Sequence, residues 1–134
     1  MPKITPKRVT RQVGMNPIAR AVAREVLRKA ILDQKIQLYL TPEGAPCVDF
    51  CGPMFILFSA LIATAEADSK VDADNYEVRI MRGTLSALDQ MMADNLYRRI
   101  NIVSLETGLD CAQALAAKLN YERFNKEWNK LVAA

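Results

Sequence analysis

Histidine is absent from all 134 residues, and that single absence removes much chemistry. The chain has no Ser–His or Cys–His pair to activate a nucleophile, and none of the commonest general base near neutral pH. Glycine is sparse, with five residues standing singly, so no glycine-rich loop is present to cradle phosphates. Cysteine is scarce and odd in number: Cys47, Cys51 and Cys111. A small secreted scaffold would carry more, in even number, so reduced thiols in a cytoplasmic protein are expected. Cys47-x3-Cys51 lacks the usual two-residue metal spacing, and three soft ligands fall short of the four a structural zinc takes. The expectation is therefore a protein that is not an enzyme, with no catalytic residues, no cofactor and no metal.

Long apolar runs are also few. The most hydrophobic stretch, FCGPMFILFSALIATA (50–65), ends at Glu66. It is shorter than the ~20 residues of a bilayer span, so a buried helix is expected and no membrane partner. The basic N-terminus is not followed by an apolar segment, which argues against a signal peptide. Strand patterns are nearly missing, since only INIV (100–103) alternates.

What is present is helical periodicity. Asn16–Pro17 reads as an N-cap followed by proline at the first helical position, opening a helix to about Leu40. Its apolar stripe is Ile18, Val22, Val26, Leu27, Ala30 and Ile31, expected to face the core. TPEGAPC (41–47) reads as a loop. Gly52–Pro53 is expected to open a second helix ending near Asp68. Being apolar on every face, it should lie at the centre, with Phe55, Leu57, Phe58, Leu61 and Ile62 nearly inaccessible. A third helix, capped by Asp72 or Asp74, carries the stripe Met81, Leu85, Leu88, Met92, Leu96, with Gly83 inside it as a candidate close crossing. Ser104 is expected to cap a fourth helix with a 4-3 seam of Leu105, Leu109, Ala112, Ala116 and Leu119. Asn120 is expected to cap a fifth, where Tyr121, Phe124, Trp128 and Leu131 share a face that closes the bundle; if exposed, that face is a partner site. The methionines, including Met81 and Met91–Met92, are read as core. The fold class is thus all-α: a single-domain bundle of about five helices (16–134), with a buried central helix at about 53–68, behind an extended basic arm (1–15).

The acidic stretch EADSKVDADNYE (66–77) does not fit a calcium loop. Starting at Asp68 puts Ala73 and Arg79 where glycine and glutamate are needed; starting at Asp72 puts Glu77 and Gly83 there. It reads as a helix–helix turn.

Charge is distributed unevenly. Residues 1–30 hold eight basic residues against Glu25 alone, a net +7, while the remainder holds ten basic and fourteen acidic residues, a net −4. Lys3, Lys7, Arg8 and Arg11 form the arm, with Pro2 and Pro6 disfavouring helix there. Arg20, Arg24 and Arg28 recur every fourth residue and are expected on a solvent-facing stripe, turned away from the buried Ile18/Val22/Val26 stripe. These seven residues are the candidate binding strip. The favoured partner is an acidic protein surface; the alternative is a nucleic-acid phosphate backbone, bound by a transcription or replication regulator. Against the second stand the missing interleaved aromatics for stacking on single strands and the missing recognition-helix pair. Self-association is left open.

In size, helix content, basic start and lack of catalytic residues, the chain resembles the small accessory proteins of bacteriophages and plasmids. The resemblance implies a protein that binds a host protein or complex and modulates it, typically by inhibition.

Overall fold

The structure, a computed structural model, describes residues 16–68 and 75–133. Among these residues the fold is an all-α bundle: α1 (Pro17–Leu40), α2 (Val48–Ala67), α3 (Tyr76–Asp94), a 3-10 turn (Arg99–Asn101), α4 (Ile102–Ala116) and α5 (Tyr121–Ala133). The arm (1–15) and the acidic turn with Asp72 and Asp74 lie outside the described residues.

α1 starts and stops where its local chemistry directs. The Asn16 side chain accepts the Ala19 N–H at 2.7 Å, Pro17 occupies the first turn, and the helix ends at Thr41. α2 is the central element and packs against each of the other four helices. Leu57, Phe58 and Leu61 are sealed from solvent, each burial being worth roughly 1.5–3 kcal/mol. Phe55 departs from the expectation: it is half-buried, packed against the rim of the core. α2 is long and apolar enough to cross a membrane, and half of that span is buried inside the bundle.

α2 also begins earlier than Gly52–Pro53, at Val48, so Pro53 lies inside the helix. The cause is a cap from elsewhere in the chain. Asn95 Oδ1 accepts the N–H groups of both Cys47 (2.9 Å) and Val48 (3.0 Å), satisfying donors that a helix start leaves unpaired. Asn95 itself ends α3 in the left-handed conformation, φ 52°, which asparagine tolerates better than most residues. One side chain thus closes one helix and opens another.

Two further boundaries shift by a few residues. α3 is capped by Asn75, whose Oδ1 accepts the Val78 N–H at 2.9 Å. Its buried stripe is Val78, Met81, Thr84, Leu88 and Met91, while Leu85 and Met92 are half-buried and Leu96 is exposed. α4 starts at Ile102 behind the 3-10 turn, so Ser104 lies within the helix rather than at its cap. Its expected seam, Leu105, Leu109, Ala112, Ala116 and Leu119, is buried throughout. The close crossing of α3 and α4 is not at Gly83, around which a Cβ would meet nothing within 4 Å, but at Gly108, where it would lie 2.6 Å from Thr84 Oγ1.

One end of the bundle is stitched by Tyr97. Its ring is fully buried, edge-on to Phe50 at 5.6 Å, and its hydroxyl donates to the Leu38 carbonyl at 2.7 Å. Backbone bonds Gly44 N–H to Tyr97 O and Tyr97 N–H to Ala45 O, both 2.8 Å, tie its segment to the α1–α2 loop.

Candidate interaction surface

α1 is longer than the surface it packs on. Its buried residues are Leu27, Ile31 and Leu38, so the first two turns carry no fully buried side chain. The C-terminal half is held against α4 by Lys35–Asp110 and by Tyr39 donating to Glu106 at 2.7 Å. At its end, Arg99 donates to the Thr41 carbonyl at 2.9 Å. The expectation that Ile18, Val22 and Val26 face the core is overturned: they are 78, 58 and 63 % exposed. The helix meets the bundle through the 27/31/38 row, which leaves the 18/22/26 row pointing outward.

Arg20, Arg24 and Arg28 are exposed as expected, but they are not equivalent. The Arg28 guanidinium forks onto Glu25, with Nε–Oε1 at 3.0 Å and Nη2–Oε2 at 2.6 Å. That bond holds the Glu25 carboxyl below its ordinary range and raises Arg28, so local charge is largely compensated there. The Arg24 guanidinium carbon lies 5.8 Å from the Tyr121 ring centroid, within reach of a cation–π attraction. Lys3, Lys7, Arg8 and Arg11 lie outside the described residues.

Between α1 and α5 runs an open apolar groove of about 330 Å³. Ala23, Val26 and Ala30 form one wall, Phe124 and Trp128 the other, and Leu57 of α2 the floor. Tyr121 and Gln34 also line it. The Gln34 Oε1 is buried and, among the described residues, has no hydrogen-bond partner. Trp128 is half-buried, and the largest fully buried side chain among the described residues is Tyr97. Small side chains at 23 and 30 open this groove. Periodicity does not reveal it, because alanine suits a core row as well as a groove wall.

Other chemistry is muted. Cys47, Cys51 and Cys111 are free and buried. Burial, with Cys47 alongside, pushes the Cys51 thiol up to about 12, and burial also raises Cys111. Neither is poised as a thiolate nucleophile. Among the described residues no three His, Cys, Asp or Glu side chains gather into a cluster able to hold a metal. No family model, curated protein or solved structure matches the chain.

Proposed function

We propose that this is a non-enzymatic interaction protein of the cytoplasm that docks a protein partner on its α1–α5 side and modulates that partner, inhibition being the expected sense. The observation that carries the reading is the groove. It is apolar, open and preformed, and it is bordered by Arg24 standing over Tyr121. An apolar anchor inserted between Ala23, Ala30 and Trp128, flanked by acidic residues, would satisfy both features. Arg20, Arg24 and the basic residues Lys3, Lys7, Arg8 and Arg11 supply attraction for the acidic flank. This is the kind of role suggested by the resemblance to bacteriophage and plasmid accessory proteins. The same positive strip supports a second reading, binding to nucleic acid, because residues 1–30 carry a net +7.

Affinity capture from a bacterial lysate, with and without nuclease, separates the two. Wild type is compared with a variant lacking residues 1–12, with Arg20→Glu/Arg24→Glu/Arg28→Glu, and with Ala30→Phe, which fills the groove from an exposed helical position. The protein reading expects capture that survives nuclease and is lost in the charge-reversed and groove-filled variants. Nucleic-acid binding expects capture lost to nuclease, and a log–log salt slope lowered by about 0.9 for each phosphate-contacting residue removed. Undiminished capture by all three variants removes both readings.

A further inference from the structure

We propose that the outward face of α1 is a self-association seam, on which two copies of this chain pair antiparallel with Glu25 of each opposite Lys29 of the other. The face is distinct from the groove and from the buried 27/31/38 row. Ile18, Val22, Glu25, Lys29, Leu32, Ile36 and Tyr39 follow one another at spacings of 4, 3, 4, 3, 4 and 3, the repeat that keeps one face of a helix turned toward a partner helix. All seven are exposed, with Leu32 and Ile36 each 46 % open to solvent. An isolated helix face bearing four large aliphatic side chains at this spacing is a costly thing to hydrate.

The charges inside the seam determine how it is covered. A parallel pair would set Glu25 against Glu25 and Lys29 against Lys29, like charges in adjacent layers. An antiparallel pair about a two-fold axis at the level of residue 27 instead sets Glu25 opposite Lys29 twice, Val22 opposite Leu32 twice and Ile18 opposite Ile36 twice. The six residues from Ile18 to Ile36 are then all matched, charge with charge and aliphatic with aliphatic. Sliding by one heptad in either direction places Glu25 or Lys29 against an aliphatic residue. The pattern is thus self-complementary in one register, as an isologous two-fold interface requires, and a charged pair at the centre of an otherwise apolar seam is a known device for fixing register. Glu25 keeps its bond to Arg28 on its own helix and has lone pairs left for the second ammonium.

The seam leaves Ala23, Ala30 and Trp128 uncovered, so the proposal stands or falls independently of the groove. Sedimentation equilibrium from low to high micromolar protein should show a monomer–dimer equilibrium. Glu25→Lys and Lys29→Glu each place like charges in the central layers and should weaken the dimer about tenfold or more. Mixing these two variants should restore association, now as a heterodimer, because every central pair is again opposite in sign. Direction is read from cysteine cross-linking, in which the native thiols are buried. With dissolved oxygen as the oxidant, Val22→Cys mixed with Leu32→Cys should form a disulfide-linked dimer, while Val22→Cys alone should not. A chain that stays monomeric throughout this range overturns the proposal, and cross-linking of Val22→Cys with itself overturns the antiparallel register. Circular dichroism on each variant confirms that the fold is retained, as exposed positions lead one to expect.

Discussion

The two halves of α1 are built from similar residues and are held in very different ways. From Leu27 onward the helix is fixed by buried Leu27, Ile31 and Leu38, by Lys35–Asp110 and Tyr39–Glu106, and at its end by Tyr97 and Arg99. From Pro17 to Val26 it has an asparagine cap, a half-buried Ala23 and aliphatic side chains in water. An apolar residue stabilises the isolated chain only where something covers it. The same amino acids therefore build a core in one half and a surface awaiting cover in the other. α2 and α5 repeat the contrast, with α2 packed on all others and α5 meeting the bundle through Tyr121 and Phe124 while Leu131 and Val132 stay exposed.

The largest effects belong to the covered side. Leu61→Ala should destabilise by about 2–5 kcal/mol through lost burial and the cavity left behind, whereas Val22→Ser in dilute protein should change stability by no more than about 0.5 kcal/mol. Denaturant titration of both variants measures the contrast, and equal losses would break it. Next comes the α3–α4 crossing. Gly108→Ala forces a methyl group against Thr84 and should cost about 1–3 kcal/mol. Thr84→Ala in the same chain should return part of that loss, since it removes the atoms that clash.

Asn95→Ala should follow at about 1–2 kcal/mol, by removing the shared acceptor for Cys47 and Val48 and by replacing asparagine with a residue that tolerates positive φ less well. Asn95→Gly loses the same cap but adopts positive φ without strain, so the difference between the two variants isolates the conformational part. A smaller effect is expected from alkali. The folded protein holds the Cys51 thiol neutral, up to about 12, against an ordinary value of 9.0. Its folded pKa is raised, so its contribution is intact below pH 9 and fades as pH rises from there toward 12. Denaturation midpoints between pH 8 and 11 should therefore fall less steeply in Cys51→Ala than in wild type, and identical slopes would show that Cys51 does not carry the dependence.

How much was legible in sequence follows from how local each signal is. Asn16–Pro17 and Asn120 act within one turn, and both caps stand where the pattern places them: Asn120 Oδ1 accepts the Arg123 N–H at 3.1 Å. The all-apolar character of α2 correctly marked the central helix, and the 4-3 seam of α4 is buried in full. The start of α2 was not legible, because its cap comes from Asn95, 48 residues beyond Cys47. Gly83 and Gly108 look alike in sequence, and only the packing of α3 on α4 distinguishes them. On α1, two apolar rows compete for the core. Periodicity finds both but cannot say which one meets α4, and so the 18/22/26 row appeared buried when it is the outer one. Arg20, Arg24 and Arg28 were placed on the surface, but the fork to Glu25 and the ring of Tyr121 depend on neighbours that spacing does not weigh.

The central claim is that the N-terminal half of α1 gains no appreciable stability from the isolated chain and awaits cover. Hydrogen exchange read by mass spectrometry, at low and high protein concentration, tests this most directly. In dilute protein, amides of residues 20–26 should exchange through local opening with a free energy well below the global one, while those of Leu57–Ile62 exchange only through global unfolding. At high concentration, protection should rise in α1 and remain unchanged in α2. Protection of residues 20–26 equal to that of α2 in dilute monomer would contradict the account.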